Sequence, residues 1–346
     1  MVRIAVIGDS VRDSWIEVES IDDLKGCKNI EQVLGYASKI GRIINNSFGG
    51  TALTWTQYLV PEHCVTPITI IGNDESSIEL ENVLKSLDQS LKQKHKPGLD
   101  FSGLNKIDGD LAKFVIAFSG KSIVKKGIPE WKSKIFWEGN VSDKYDQLNI
   151  TSEFLGTHDV LALPIPHPKT ALQAVKNFRS INPRGVICYN PGRYLTRRDY
   201  TFKDTCFEEI ATETTYLVLN RYENGAVRKG LKLGRRESLF NKYPKLEAII
   251  LTKDHEGSEI QEKRSGKRYE PSIVNVIEAN PAKSLGAGDA YAATWLSKIL
   301  SGQSIDNALD CATRVAEHIL GVDGAVDLRR LLNGDYHSPT VRVTDL

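Results

Sequence analysis

A chain of 346 residues that is 40% hydrophobic and 26% charged has the composition of an ordinary globular protein and enough length to bury a large core. Its formal net charge of +1, with acids and bases interleaved, lacks the basic stripe that a dedicated nucleic-acid binder needs to neutralise phosphates. Five scattered cysteines without C-x-x-C spacing and seven histidines without an H-E-x-x-H pattern argue against a zinc site or a disulfide framework, and for a reducing compartment.

In chain order, the first apolar run is Ile4–Ile7. It is too short for a signal segment or a membrane span and reads as the first buried strand of a cytoplasmic protein. Residues 15–50 alternate in part, within Ser14–Ile21 and around Arg42–Asn45. They are read as a small β-rich lid inserted into a main domain of residues 1–14 and 51–346, with a plain surface hairpin as the alternative. Further short apolar runs follow at Ile68–Ile71, Phe114–Phe118, Val160–Leu163, Val186–Tyr189, Tyr216–Leu219 and Ala248–Leu251. Such runs without alternation fit strands buried on both faces.

Between the runs lie helical stripes: Leu80, Leu84, Leu87 and Leu91, then Ala171, Leu172, Val175 and Phe178. Near the C-terminus Ile305, Ala308, Leu309, Ala312, Val315, Ala316 and Ile319 share one face behind Ser304 as N-cap. Lys92–Gly98 reads as an exposed loop, and the polar run His255–Pro271 predicts a hairpin turning at Ser265-Gly266. Strands alternating with helices predict an α/β fold, a doubly wound and mostly parallel sheet.

The sharpest local signal is Gly286-Ala287-Gly288-Asp289 ahead of a helix with small residues on one side. The glycines let a ligand approach the main chain, and the unpaired amides of a helix start favour an anion. Asp289 is either a capping acid worth about 0.3–1 kcal/mol with the helix dipole, or a base beside a bound phosphoryl group. Two other phosphate loops are excluded. A G-x-x-x-x-G-K-[ST] ending at Gly120-Lys121-Ser122 fails because position 115 is Val, and G-x-G-x-x-G fails because position 291 is Tyr.

Gly286-Ala287-Gly288-Asp289 followed by Ala-Tyr-Ala-Ala resembles the C-terminal signature of the ribokinase-like (pfkB) carbohydrate kinases, and further resemblances follow in matching order over about residues 3–330. That family's fold is the α/β arrangement with a small β lid. Gly8-Asp9 with Asp13 is similar to its first strand, most of all in the heptose phosphate kinase branch, which implies that Asp13 binds substrate hydroxyls. Gly49-Gly50-Thr51 resembles its N-terminal Gly-Gly motif, which approaches the sugar; without the resemblance it is a turn with Thr51 as helix cap. Asn190-Pro191-Gly192-Arg193 resembles a strand-end segment that would bring Arg193 to the substrate. Asn220 and Glu223 match an N-x-x-E motif that organises Mg²⁺ mostly through water, and would otherwise be a turn and a capping acid. Thr252, Lys253 and Gly257 fall on the strand and turn beside the nucleotide, with Asp254 where glycine is common.

The resemblance implies ATP-dependent phosphorylation of a hydroxyl on a sugar or sugar phosphate, with Mg²⁺, Asp289 as base and the Gly286–Gly288 segment as anion hole. Its partners would be small molecules, with no nucleic acid and no membrane, and the exposed edges of the lid would allow a homodimer. Arg12, Arg193, Arg197 and Arg198 are candidates for a substrate phosphate or for solvated surface, and the basic cluster Lys121–Lys126 reads as a solvated face or a local anion site. A nucleoside kinase remains the alternative. So does a non-catalytic nucleotide- or sugar-binding regulator, because Lys283-Ser284-Leu285 replaces the D-T-x that often precedes the signature.

Overall fold

The computed structural model describes residues 1–40, 43–119, 123–125, 128–130, 133–139, 141, 144–148, 150–234, 238–253, 257–271 and 286–321. In chain order its strands are β1 (Arg3–Ile7), β2 (Val11–Val18), β3 (Ile43–Gly49), β4 (Cys64–Ile71), β5 (Leu104–Lys106), β6 (Ala112–Ser119), β7 (Ile123–Lys125), β8 (Ile128–Glu130), β9 (Ser133–Glu138), β10 (Val160–Pro164), β11 (Val186–Asn190), β12 (Tyr216–Asn220), β13 (Ala248–Thr252), β14 (Ser258–Glu262) and β15 (Arg268–Tyr269).

Nine of them form one sheet in the order β15-β14-β13-β12-β11-β10-β1-β4-β5, parallel from β13 to β5. The apolar runs explain why. Ile4 and Val6 enter the core beneath one face while Ala5 and Ile7 enter the core beneath the other, and all four are fully buried. In β10, Val160 and Ala162 divide from Leu161 and Leu163 in the same way. A strand covered on both faces has no polar side to show, so its sequence reads as a continuous apolar run.

Helices supply the cover. Glu75–Gln93, capped by Asp74 accepting from Ser77 N at 3.1 Å, buries Leu80, Leu84, Leu87 and Leu91 on one face. Helices Thr51–Leu59, Ala287–Leu300 and Ile305–Gly321 share that side, the last with Ser304 accepting from Asn307 N at its start. Pro168–Ile181 buries Ala171, Val175 and Phe178 on the other, and Leu172 stays half-buried. The hairpin expected near Ser265-Gly266 is β14–β15, antiparallel, with Gly266 at φ 64°. No helix among the described residues is long and apolar enough to cross a membrane.

A second sheet, β3-β2-β6-β9, stands apart from the first. Here the chain departs from expectation. Phe114–Phe118 is a strand, but it belongs to this sheet rather than to the main one, and β9 joins it from still further along. The second sheet therefore draws on residues outside 15–50, and β2 begins at Val11, so Asp13 lies within it. Four-residue apolar runs look alike wherever both faces are covered. Helix Ile30–Ile40 covers one face, packing Ile30, Val33 and Ala37 on Ile16, Val18, Val115, Ala117 and Phe136. The opposite face carries Trp15, Ile116 and Phe118, and by the alternation of a strand it carries Asp13 as well.

Candidate active site

β1 connects onward to β4 on one side of the main sheet, while β10 connects onward to β11 on the other. The crevice between the carboxyl ends of two such diverging strands is where open α/β sheets take ligands. Gly8 and Asp9 follow β1 at this crevice, and Pro164 ends β10. Thr51 ties the two together: its hydroxyl donates to the Pro164 carbonyl at 2.7 Å and accepts from Asp9 N at 3.2 Å. A Cβ at Gly8 would lie 2.5 Å from that hydroxyl, so only glycine fits. The alternative reading of Gly49-Gly50-Thr51, with Thr51 as helix cap, does not hold: Gly50 takes the cap position, at φ 91°, and the Thr51 side chain ties the two strands.

The expected acceptor residues gather here. Asp13 is 4% exposed, and its Oδ2 occupies the space where a Gly49 side chain would begin, 1.8 Å from an ideal Cβ. A Cβ at Gly50 would meet the Asp9 carbonyl oxygen at 2.5 Å. Arg193 comes from the loop after β11, with a guanidinium nitrogen 3.8 Å from Asp9 Oδ2 and its guanidinium 4.9 Å above the Trp137 ring of β9. It thus spans from the main sheet to the second. The loop that presents it is tightly held: Ile165 sits at φ 49°, a strained conformation for a β-branched residue, and donates its N–H to Asn190 O at 2.8 Å. Gly192, at φ 56°, packs directly on the Ile165 side chain. Of the other arginines, Arg12 is held by Glu79 and Ser76, and Arg197 by Asp199 with its guanidinium over Tyr200.

Burial pushes the Asp13 pKa from 3.8 up to about 8. The folded state then binds this proton more tightly than the unfolded chain. The associated stability is complete below about pH 4 and drains away as pH rises towards 8. Asp13→Asn keeps the shape without the charge, and is expected to raise Tm more at pH 8 than at pH 5. Calorimetry at the two pH values checks this, and a Tm below wild type at pH 8 would refute it.

Asp289 lies in the first turn of Ala287–Leu300, behind Gly286 at φ 80°. Its N-cap residue, Gly286, has no side chain to cap it, and the amides of the first turn have no intrahelical acceptor. Gly288 is exposed, and a Cβ there would meet nothing within 4 Å. Trp55 Nε1 donates to Asp289 Oδ1 at 3.1 Å. Desolvation pushes the Asp289 pKa up to about 6, against the lowering effect of that hydrogen bond. Sequence reasoning weighed Trp55 only as core, lid or an aromatic of an acceptor pocket, and did not pair it with Asp289. Its helical spacing from Thr51 reads as core, and nothing local signals a partner 234 residues away.

Asn220 and Glu223 come to the same end of the sheet but engage each other. Asn220 Oδ1 accepts from the amides of Tyr222 and Glu223, while the Glu223 carboxylate accepts from Asn220 N at 2.8 Å and Nδ2 at 2.7 Å. This is a capping box for helix Arg221–Gly230. Burial raises the Glu223 pKa to about 7, with the Asp289 charge adding to the rise. Among the described residues no three potential metal ligands cluster. The pair fits a cation that keeps its waters, because direct ligation would compete with the cap. Thr252 is the strand neighbour of Asn220, and Lys253 N donates to Gly257 O at 2.7 Å across the turn from β13 to β14, with Gly257 at φ 82°. The Lys253 ammonium is held by Glu259 and Glu270 at 3.0 and 3.3 Å, so what it presents at the turn is backbone. Lys283, Ser284, Leu285 and Asp254 lie outside the described residues.

No curated protein sequence matches the chain. Solved structures do, at identities that speak to the fold. A ribokinase from Thermotoga maritima superposes with a TM-score of 0.65 at 18% identity, covering 96% of this chain and 99% of that one. A nucleoside kinase of the ribokinase family from Methanocaldococcus jannaschii gives 0.66 at 18%, covering 96% and 99%. Adenosine kinase from Schistosoma mansoni, solved with 2-fluoroadenosine, gives 0.68 at 12%, covering 94% and 98%. The fold is thus the α/β ribokinase-like one. The sequence model of the pfkB family carbohydrate kinases matches residues 135–329, more than half of the chain, and the protein belongs to that family.

Proposed function

We propose that the protein transfers a phosphoryl group from ATP to a hydroxyl of a sugar or sugar phosphate, with Asp289 as base. The observation that carries this reading is the Asp289 carboxyl at a helix start with glycine at the N-cap, hydrogen-bonded by Trp55 and with its pKa raised to about 6. A base poised near the working pH, beside amides that can meet an anion, suits a hydroxyl attacking a phosphoryl group. The acceptor lies in the crevice lined by Asp13, Gly49, Gly50 and Arg193. Asp289 orients its hydroxyl and takes the proton as the O–P bond forms. The amides following Gly286 meet the charge growing on the transferred oxygens, each such donor contributing on the order of 3 kcal/mol. Mg²⁺, when bound, neutralises phosphate charge, and Asn220 and Glu223 would hold it through its waters. The turn from Thr252 to Gly257 borders the nucleotide side.

The second sheet acts as the lid. Arg193 stacked on Trp137 joins it to the main sheet over the acceptor, which keeps water from the transferring group and limits ATP hydrolysis. β3 and β9, each paired on one side only among the described residues, offer edges through which two copies would join. Gly8-Asp9 with Asp13 supports a phosphorylated sugar acceptor of the heptose phosphate type. A nucleoside acceptor is the second reading, favoured by the Phe114–Trp137 ring pair, 6.2 Å between centroids, on the lid strands beside Arg193.

The base must be ionised to work. The free-enzyme kcat/KM is therefore expected to fall about tenfold per pH unit below about pH 6, as Asp289 takes up its proton. A flat profile down to pH 4.5 would remove Asp289 from that role. The reading as a whole is tested by an ATP-consumption screen with Mg²⁺ over sugars, sugar phosphates and nucleosides, beside Asp289→Asn. Turnover on one class, lost in the variant, supports the kinase and names its acceptor. ATP binding without turnover on any of them favours a regulator instead.

A further inference from the structure

Ser47 is the cross-strand partner of Asp13 between β2 and β3, so the two side chains leave the same face of the second sheet. Ser47 is 2% exposed, and its hydroxyl has no hydrogen-bond partner among the described residues. Asp13 beside it is also buried, at 4% exposure. A buried polar group left unpaired costs free energy, and native chains keep few of them. An unpaired hydroxyl beside a buried carboxyl, next to the Gly49-Gly50 turn at the mouth of the crevice, is a costly way to build a wall and an apt way to build a receptor. Trp15, two residues along β2 on the same face, adds an unpartnered indole N–H. An alanine at 47 would complete the wall without the unpaired hydroxyl, and the neighbouring core shows that this face tolerates apolar side chains.

We infer that Ser47 is a specificity-determining residue, whose hydroxyl, together with the Asp13 carboxyl, binds two neighbouring hydroxyls of the acceptor. Asp13 takes one and Ser47 the next, so the pair reads a vicinal diol and rejects an acceptor in which one of the two hydroxyls is missing. Such rejection is strong when the groups reading the substrate are buried, because a missing hydroxyl leaves them unpaired. The assignment rests on the crevice being the acceptor site, as proposed above, and it extends that reading to a residue outside the family motifs.

The test measures binding without nucleotide, so that it does not depend on turnover. Wild type and Ser47→Ala are titrated, by intrinsic tryptophan fluorescence and calorimetry, with ribose, ribose 5-phosphate and adenosine and with their 2-deoxy counterparts. The wild type is expected to prefer a diol over its deoxy partner by about 10–100-fold, and Ser47→Ala to lose that preference while binding the deoxy compound as wild type does. The Tm of Ser47→Ala is expected to equal or exceed that of wild type, since an unpaired buried hydroxyl is removed; a residue with a merely structural role would lower it. Undiminished preference in Ser47→Ala, or equal weakening of both compounds, overturns the assignment and leaves the kinase reading standing. Wild type that binds none of these diols overturns it too, and the ATP-consumption screen then decides whether the kinase reading falls with it.

Discussion

Asp289→Asn is expected to lower kcat by about 10²–10⁴-fold with the fold intact. Asparagine keeps the oxygen that accepts from Trp55 Nε1, so the side chain stays where it is and only its basicity is lost. Stability is not expected to suffer. Because the folded pKa is raised from 3.8 to about 6, the carboxyl stabilises the fold only at low pH, and its contribution is lost as pH rises through about 6. At pH 7 the variant should therefore melt at or above the wild-type temperature. Single-turnover kinetics and a melting curve on the same preparation check both halves. Near-wild-type turnover would mean that some other group takes the proton. A collapse in Tm would mean that Asp289 is chiefly a helix cap.

The second large effect is expected from one methyl group. Gly49→Ala places a Cβ 1.8 Å from Asp13 Oδ2, far inside contact distance, and the carboxyl must swing away. Displacing an acceptor-binding group by about an ångström costs on the order of 10²-fold in kcat/KM. We expect that loss for Gly49→Ala and a loss of at least the same size for Asp13→Ala. The double variant should be no worse than Asp13→Ala, because both changes remove one interaction and so cannot add. Full additivity would show that Gly49 acts through the backbone rather than through Asp13.

The main sheet was legible because both of its faces are covered. Ile4–Ile7 and Val160–Leu163 could be written as buried strands without seeing what covered them. The same property hid the second sheet. Within Phe114–Phe118, Val115 and Ala117 are buried under helix Ile30–Ile40 and Ile116 and Phe118 are buried on the opposite face, so its sequence carries no mark of which sheet it joins. At the site, residues whose backbone does the work stood out, since Gly286 and Gly50 need positive φ and sequence shows glycine directly. Residues that act through side chains reaching across the fold did not. Thr51 looked like a cap and serves as a tie between two strands, and Trp55 looked like core and orients the proposed base. Asn220 and Glu223 fit both of the readings open to them, because a capping box and an outer shell for a hydrated cation use the same two side chains.

The hydrogen bond from Trp55 to Asp289 also sets a schedule for biosynthesis. The two residues are 234 positions apart, and at roughly 5–20 residues per second a ribosome needs roughly 10–50 s to make what lies between them. Through that interval the nascent chain already has Asp13 and the Gly49-Gly50 turn, but not the proposed base. The helix that brings Asp289 emerges after every strand of the main sheet. On the proposed function, the base reaches its place only when one late helix docks onto one early one.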